Sequence, residues 1–154
     1  FTTKPVDLAF YELSPEVRQA EVVKRFVLSL SAGAERVFWF QLGATRAPQG
    51  IWDGMALVWG ERRNPAFATY ALTVEKLKGY DAIQRLNLGT GVSAFQFRRP
   101  VGDTYVLWAT KPAMVYLPVT ARKLRLTDVS GQSAEQSSTR LVIGEIPLFV
   151  ETIK

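Results

Sequence analysis

A short, almost continuous run of aromatic and aliphatic residues, Glu35–Leu42, limits the possible folds of this chain more than any other stretch. Glycines at positions 33 and 43 bracket the run. A segment this apolar is typical of a strand covered on both faces, as in a parallel sheet flanked by helices. We therefore predict a strand over Val37–Leu42 between helices, in an α/β barrel or a doubly wound sheet.

Helix signals stand on both sides of this run. Ser14-Pro15 combines an N-cap residue with a proline suited to the first helical turn, and an apolar stripe at helical spacing follows as far as Gly33. Asn64-Pro65 repeats the same signal, and its stripe ends at Gly79. The sequence therefore predicts helix, buried strand, loop and helix within residues 1–80.

From residue 82 onward the apolar runs are short and turn residues separate them, which is typical of antiparallel strands. Their spacing predicts a small antiparallel β-sandwich over residues 81–154. The Ser- and Gln-rich stretch Gly131–Ser138 is predicted to be a flexible loop. The predicted strands are Ile83–Leu88, Ser93–Arg98, Tyr105–Ala109, Met114–Pro118, Lys123–Thr127, Arg140–Ile143 and Leu148–Glu151.

Composition excludes several classes of function. The 154 residues are 47% apolar, enough for a packed core, yet no stretch reaches the roughly 20 apolar residues of a membrane span. With no cysteine and no histidine, the chain lacks disulfides, thiolate chemistry and the commonest general base and metal ligand. We expect no metal ion, no cofactor and no membrane insertion, and the compartment stays open.

The net charge of +5 raises the question of nucleic-acid binding. The basic residues are scattered, however, and form only doublets, which is typical of solvated faces. We therefore expect no nucleic-acid partner. The doublets are Arg62-Arg63, Arg98-Arg99 and Arg122-Lys123.

Three parts of the chain carry a resemblance to one family. Arg18–Leu42 resembles the end of a (β/α)8-barrel glycoside hydrolase, where a helix with a Gln-Ala pair and an Ala-Gly end precedes the last barrel strand. Asn64–Tyr70 is similar to the opening of the final barrel helix. The later strands are similar to the C-terminal β-sandwich of the same enzymes, the β-xylosidases and related glycosidases of the retaining clan. The segments concerned are Tyr105–Trp108, Asp128–Gly131 and Pro147–Val150.

The resemblance implies that residues 1–80 form the end of the barrel and residues 81–154 the β-sandwich. Such enzymes use two carboxylates, an acid/base on strand four and a nucleophile on strand seven. Strand four has no counterpart here, and Glu12, the glutamate nearest the expected end of strand seven, lacks a strand context. The resemblance thus implies no catalytic residue in this chain and no activity of the chain alone. Its partners would be carbohydrate and either a second polypeptide carrying the rest of the barrel or another copy of this chain.

The same resemblance implies a sugar-facing wall on the last strand. Trp39 would stack on a sugar face, and Gln41, on the same side, would hydrogen-bond a hydroxyl. Packing of Trp39 in a core is the open alternative. In the sugar-facing arrangement, Phe38, Phe40 and Leu42 lie on the opposite side of the strand and face the helices. Trp52 and Asp53 are further substrate-binding candidates. For both residues the alternative is a purely structural role in the loop.

A second hypothesis is a non-catalytic β-sandwich module that binds carbohydrate or a protein. Such a module presents exposed aromatic residues, for which Tyr105, Trp108 and Tyr116 are the candidates. The alternation of the strands predicts that most of them are buried. The coding sequence upstream of Phe1 distinguishes the two hypotheses, because only the first requires a barrel there.

Overall fold

The computed structural model describes residues 14–44 and 56–153. Helix α1 spans Pro15–Ser31 and helix α2 spans Pro65–Leu77. The strands are β1 (Gly43–Ala44), β2 (Val58–Trp59), β3 (Arg62–Arg63), β4 (Ala82–Leu86), β5 (Val92–Arg98), β6 (Thr104–Ala109), β7 (Ala113–Tyr116), β8 (Lys123–Thr127), β9 (Ser133–Gln136), β10 (Arg140–Ile143) and β11 (Leu148–Ile153). None of the helices in this part of the chain has the length and apolar character needed to span a membrane.

Both predicted helices are confirmed, and both begin at the predicted caps. The Ser14 hydroxyl accepts a hydrogen bond from the Val17 amide at 3.3 Å. The Asn64 side-chain oxygen accepts one from the Ala66 amide at 3.0 Å. These side chains satisfy amides that have no partner inside the helix, and the proline after each cap has no amide to satisfy.

A six-stranded antiparallel sheet, in the order β4-β5-β6-β11-β8-β9, forms the centre of the molecule. The antiparallel pair β7–β10 covers part of one face, which gives the β-rich part a sandwich-like arrangement. The core between these layers consists mainly of small and branched apolar residues. Its buried members are Ala94, Tyr105, Leu107, Ala109, Val115, Leu117, Leu124, Leu141, Ile143 and Val150.

The helices cover the other face of the six-stranded sheet. Val23 and Val27 of α1 and Leu77 of α2 share a second buried cluster with residues of the sheet. Because both faces are covered, every residue of β6 is buried. The sheet residues in this cluster are Phe95, Phe97, Val106, Trp108 and Phe149, together with Val129 from the turn after β8.

The prediction of a buried strand over Val37–Leu42 is wrong. Within residues 14–44 the first strand begins at Gly43, where β1 pairs in parallel with β2. Phe38, Phe40 and Leu42 are 84%, 57% and 58% exposed. The physical reason is that a run of this kind becomes a covered strand only between neighbouring strands, and the described residues supply one two-residue neighbour. The two helices follow in the predicted order, and the barrel itself remains a prediction.

The prediction of a flexible loop over Gly131–Ser138 is also wrong. Ser133–Gln136 forms the edge strand β9, paired with β8 in antiparallel register. The Thr127 and Ser133 hydroxyls lie 2.9 Å apart and link the two strands. An edge strand with polar side chains has no apolar alternation to reveal it, since backbone hydrogen bonds and turn geometry define it instead.

Candidate functional site

The segment of residues 36–42 contacts the helix pair through alternate side chains. Val37 and Trp39 pack against a buried cluster formed by Val22, Phe26, Leu57 and Ala66. The guanidinium carbon of Arg25, on α1, lies 5.8 Å from the centre of the Trp39 ring. The face of an aromatic ring is electron-rich and attracts a cation. The contact between the Arg25 guanidinium and the Trp39 ring therefore holds Trp39 against α1.

The side chains that alternate with Val37, Trp39 and Gln41 are exposed. Phe38, Phe40 and Leu42, which we call the open face, are all exposed. The period-two alternation is therefore as predicted, but the two sides are exchanged. We expected the open-face residues to contact the helices. Trp39 contacts them instead, because its large ring fills the space beside α1 and meets Arg25 there.

Backbone hydrogen bonds anchor the end of this segment. The Gln41 carbonyl accepts from the Leu57 amide at 3.3 Å, and the Leu42 carbonyl accepts from the Val58 amide at 2.9 Å. The Leu57 carbonyl in turn accepts from the Asn64 amide, the cap of α2, at 2.8 Å. The open face is thus tied through β2 to the start of α2.

Of the predicted substrate-binding residues, the structure describes two. Trp39 is partly buried on the helix side, and Gln41 is partly buried beside the segment that leads into β2. Trp52, Asp53 and the glutamate considered as a nucleophile, Glu12, lie outside the described residues. In the described ranges, no three His, Cys, Asp or Glu side chains group as metal ligands.

Sequence reasoning missed the open face as a functional candidate. The sequence does contain a signal for it, because the large apolar residues Phe38, Phe40 and Leu42 occupy every second position. Alternation groups residues onto the two sides of a strand, but it cannot say which side a neighbouring element covers.

A second exposed apolar row lies on the outer side of the β7–β10 pair. It consists of Met114, Tyr116 and Val142, and Val142 is the cross-strand partner of Met114. The Arg140 Nε atom donates to the Met114 sulfur at 2.8 Å. Of the other aromatic candidates for an exposed binding surface, Tyr105 and Trp108 are buried.

The sequence matches no protein-family model and none of the curated proteins. Among solved structures, the chain is similar to an α-amylase from Anoxybacillus, whose crystal structure is described as providing insights into a new glycosyl hydrolase subclass. The two share 14% sequence identity with a TM-score of 0.45, and the match covers 66% of this chain and 25% of the amylase chain. This similarity is too low to support an argument about function.

Proposed function

We propose that this chain is the C-terminal part of a (β/α)8-barrel glycoside hydrolase. In this proposal the segment of residues 36–44 completes the barrel wall, and the β-sandwich-like part supports it. The observation that carries the proposal is the open face, three large apolar side chains exposed at alternate positions of residues 38–42. It adds to the resemblance of Arg18–Leu42 and Asn64–Tyr70 to the end of such a barrel.

A barrel strand has two covered sides, an outer side against helices and an inner side against the packed barrel interior. Val37 and Trp39 already contact the helix pair, as outward-facing residues do. The open-face residues correspond to the inner side. Covering these side chains removes apolar surface from water, which stabilises the covered state by about 25 cal/mol per Å². The occupant proposed for the open face is therefore the rest of the barrel.

The proposal also assigns the sugar-facing residues. The contact of Trp39 with α1 favours the core-packing role, one of the two alternatives for this residue. Phe40 and Leu42 then occupy inward positions at the C-terminal end of the segment, the end at which barrel enzymes bind their substrates. Gln41 alternates with them and shares the side of Trp39, so in this assignment it faces the helices and the sugar contacts come from Phe40 and Leu42.

The test compares turnover of aryl glycosides by the chain alone and by the chain joined to the polypeptide encoded upstream of Phe1. We expect turnover only from the joined protein, because the two carboxylates belong to the other part of the barrel. Replacing Phe38, Phe40 and Leu42 with serine abolishes it, and the matched change of Met114, Tyr116 and Val142 does not. Turnover by the repurified chain alone that disappears in Glu12→Gln contradicts the proposal. An upstream sequence without alternating strands and helices contradicts it as well.

The row on the β7–β10 pair favours a second candidate, a non-catalytic module that binds carbohydrate through an exposed aromatic side chain. Tyr116 is 64% exposed and flanked by apolar neighbours, as a ring that stacks on a sugar would be. Sedimentation with insoluble polysaccharides tests this candidate. Binding that Tyr116→Ala abolishes and Val101→Ala, at an exposed position elsewhere, preserves supports it, and no sedimentation with any polysaccharide contradicts it.

A further inference from the structure

An open depression of about 560 Å³, lined by both polar and apolar residues, lies at one end of the β-sandwich-like part, far in sequence from the open face. Asp103 and Tyr105 enter it from the start of β6, and Thr152 enters it from the end of β11. The segment between β7 and β8 forms the opposite wall, with Thr120 and Arg122.

The strand register explains why these side chains meet. Tyr105 is opposite Gln96 on β5 and opposite Val150 on β11. Thr152 lies two residues beyond Val150, so it shares that side of the sheet. The β7–β10 pair covers the residues further along this side, including Leu107. The cavity is therefore the part of the sheet face that the second layer leaves open.

Hydrogen bonds orient the carboxylate in the cavity. Gln96 Nε2 donates to Asp103 Oδ2 at 2.6 Å, and the Tyr105 hydroxyl donates to the same oxygen at 3.4 Å. Both described donors meet one oxygen, so the other, Oδ1, is left to accept hydrogen bonds from a ligand. A carboxylate held in place by neighbours loses little conformational freedom when a ligand arrives.

Tyr105 keeps its proton for this role. Burial raises its pKa to about 12, and the negative charge of Asp103 and the hydrogen bond to it act in the same direction, while Arg98 opposes them. At neutral pH the phenol therefore donates to Asp103 and offers its own lone pairs to the cavity. Among the described residues, Arg122 forms no ion pair, so its donors also remain available.

We propose that this cavity binds a neutral polyhydroxy ligand, a single sugar unit, through Asp103, Tyr105, Thr152 and Arg122. One carboxylate oxygen accepts from two neighbouring hydroxyls of the sugar, and the guanidinium donates to a hydroxyl or ring oxygen. The wall contributed by Pro118 and Val119 supplies apolar contact for the carbon face of the ring. A carboxylate and a guanidinium also match the two charges of a zwitterion, but the hydroxyls of Tyr105 and Thr152 beside them favour a ligand rich in hydroxyl groups.

The choice of a sugar rests in part on the proposed function, whereas the site itself rests on the cavity. The test uses amide NMR spectra of the whole 154-residue chain during titration with D-xylose, D-glucose and D-galactose, and with L-alanine as a zwitterionic probe. We expect one of the sugars to shift the amide signals of residues 103–105, 118–122 and 152–153. We expect L-alanine to leave them unchanged.

Two pairs of variants decide which side chains bind. Asp103→Asn should weaken sugar binding about tenfold or more, because the ligand loses a charged acceptor. Asp81→Asn, an exposed carboxylate elsewhere, should leave binding unchanged. Thr152→Val, which keeps the side-chain shape, should also weaken binding, and Thr90→Val at an exposed turn should not.

Three results overturn the inference. They are the absence of shifts with every sugar, shifts confined to other residues, and shifts with L-alanine in place of the sugars. An Asp103→Asn chain that keeps its fold and its sugar affinity overturns it too. Failure here is distinguishable from failure of the proposed function, because the titration uses the chain alone, whereas the turnover test needs the joined barrel. Turnover without sugar shifts removes only the cavity inference, and sugar shifts without turnover remove only the proposed function.

Discussion

Lys76, on α2, donates a hydrogen bond to Glu151, on β11, and their side chains meet at 2.6 Å. Arg99, which follows β5, donates to the other oxygen of the same carboxylate at 3.2 Å. One partly buried carboxylate thus joins the helix layer to two strands of the six-stranded sheet. It fixes α2 over the sheet. Backbone hydrogen bonds from Asn64 to Leu57 and from Leu57 to Gln41 connect the start of α2 to the segment that contains the open face.

Glu151→Gln should lower the free energy of unfolding by about 1–3 kcal/mol, because it leaves two partly buried cations without their carboxylate. Urea unfolding at neutral pH measures the change. Glu135→Gln is the matched control. Its carboxylate pairs with Lys123 and Arg125 at half-exposed positions, where ion pairs contribute little, so we expect a change below about 0.5 kcal/mol. Equal effects of the two variants would contradict this account of the helix–sheet contact.

Truncation of successive residues of β6 should destabilise the fold in every case, because the two faces of this strand belong to different cores. Leu107 faces the β7–β10 layer and Val106 faces the helices. We expect Leu107→Ala to destabilise by about 2–5 kcal/mol and Val106→Ala by about 1–3 kcal/mol. Val142→Ala, on the exposed row, should change stability by less than about 0.5 kcal/mol. Thermal unfolding followed by circular dichroism tests all three, and a silent Val106→Ala would show that the helices do not cover the sheet.

Tyr105 should make stability depend on pH in the alkaline range. Its pKa is raised from 10.0 to about 12 in the folded chain, mainly by burial and by Asp103. A raised pKa means that the folded state holds the proton more tightly, so this contribution is complete below pH 10 and disappears as the pH rises to about 12. The loss amounts to about 2–3 kcal/mol.

The measurement for Tyr105 is urea unfolding between pH 8 and pH 12, compared between the wild-type chain and Tyr105→Phe. The difference in stability between the two proteins should shrink across this interval, because phenylalanine cannot ionise. Tyr116→Phe, at an exposed position, is the control and should follow the wild-type curve. A constant difference between wild type and Tyr105→Phe would show that the folded state does not favour the protonated phenol.

The predictable parts of this fold are those that local sequence specifies. The caps at Ser14 and Asn64 define where the helices begin, since a side-chain oxygen must satisfy the first amides whatever lies nearby. The strand β6 is equally plain, as an apolar run between turn residues. The edge strand β9 was missed because its polar side chains carry no periodic signal.

The candidate site was less predictable than the fold. Alternation grouped Trp39 with Gln41 and Phe38 with Phe40, but the side that contacts the helices depends on Arg25, 14 residues before Trp39 in the sequence. The cavity at Asp103 depends on the register between β5, β6 and β11 and on the incomplete cover of the second layer. Neither relationship is local, so neither leaves a pattern in the sequence.

The central claim is that the open face is built to be covered by apolar surface, and light scattering across a dilution series of the isolated chain tests it most directly. We expect concentration-dependent self-association, because three exposed apolar side chains on one face will pair with another copy when the rest of the barrel is missing. Changing Phe38, Phe40 and Leu42 to serine should yield a monomer. The matched change of Met114, Tyr116 and Val142 should leave the association intact. A compact monomer at every concentration, with no binding of a dye specific for apolar surface, would contradict the claim.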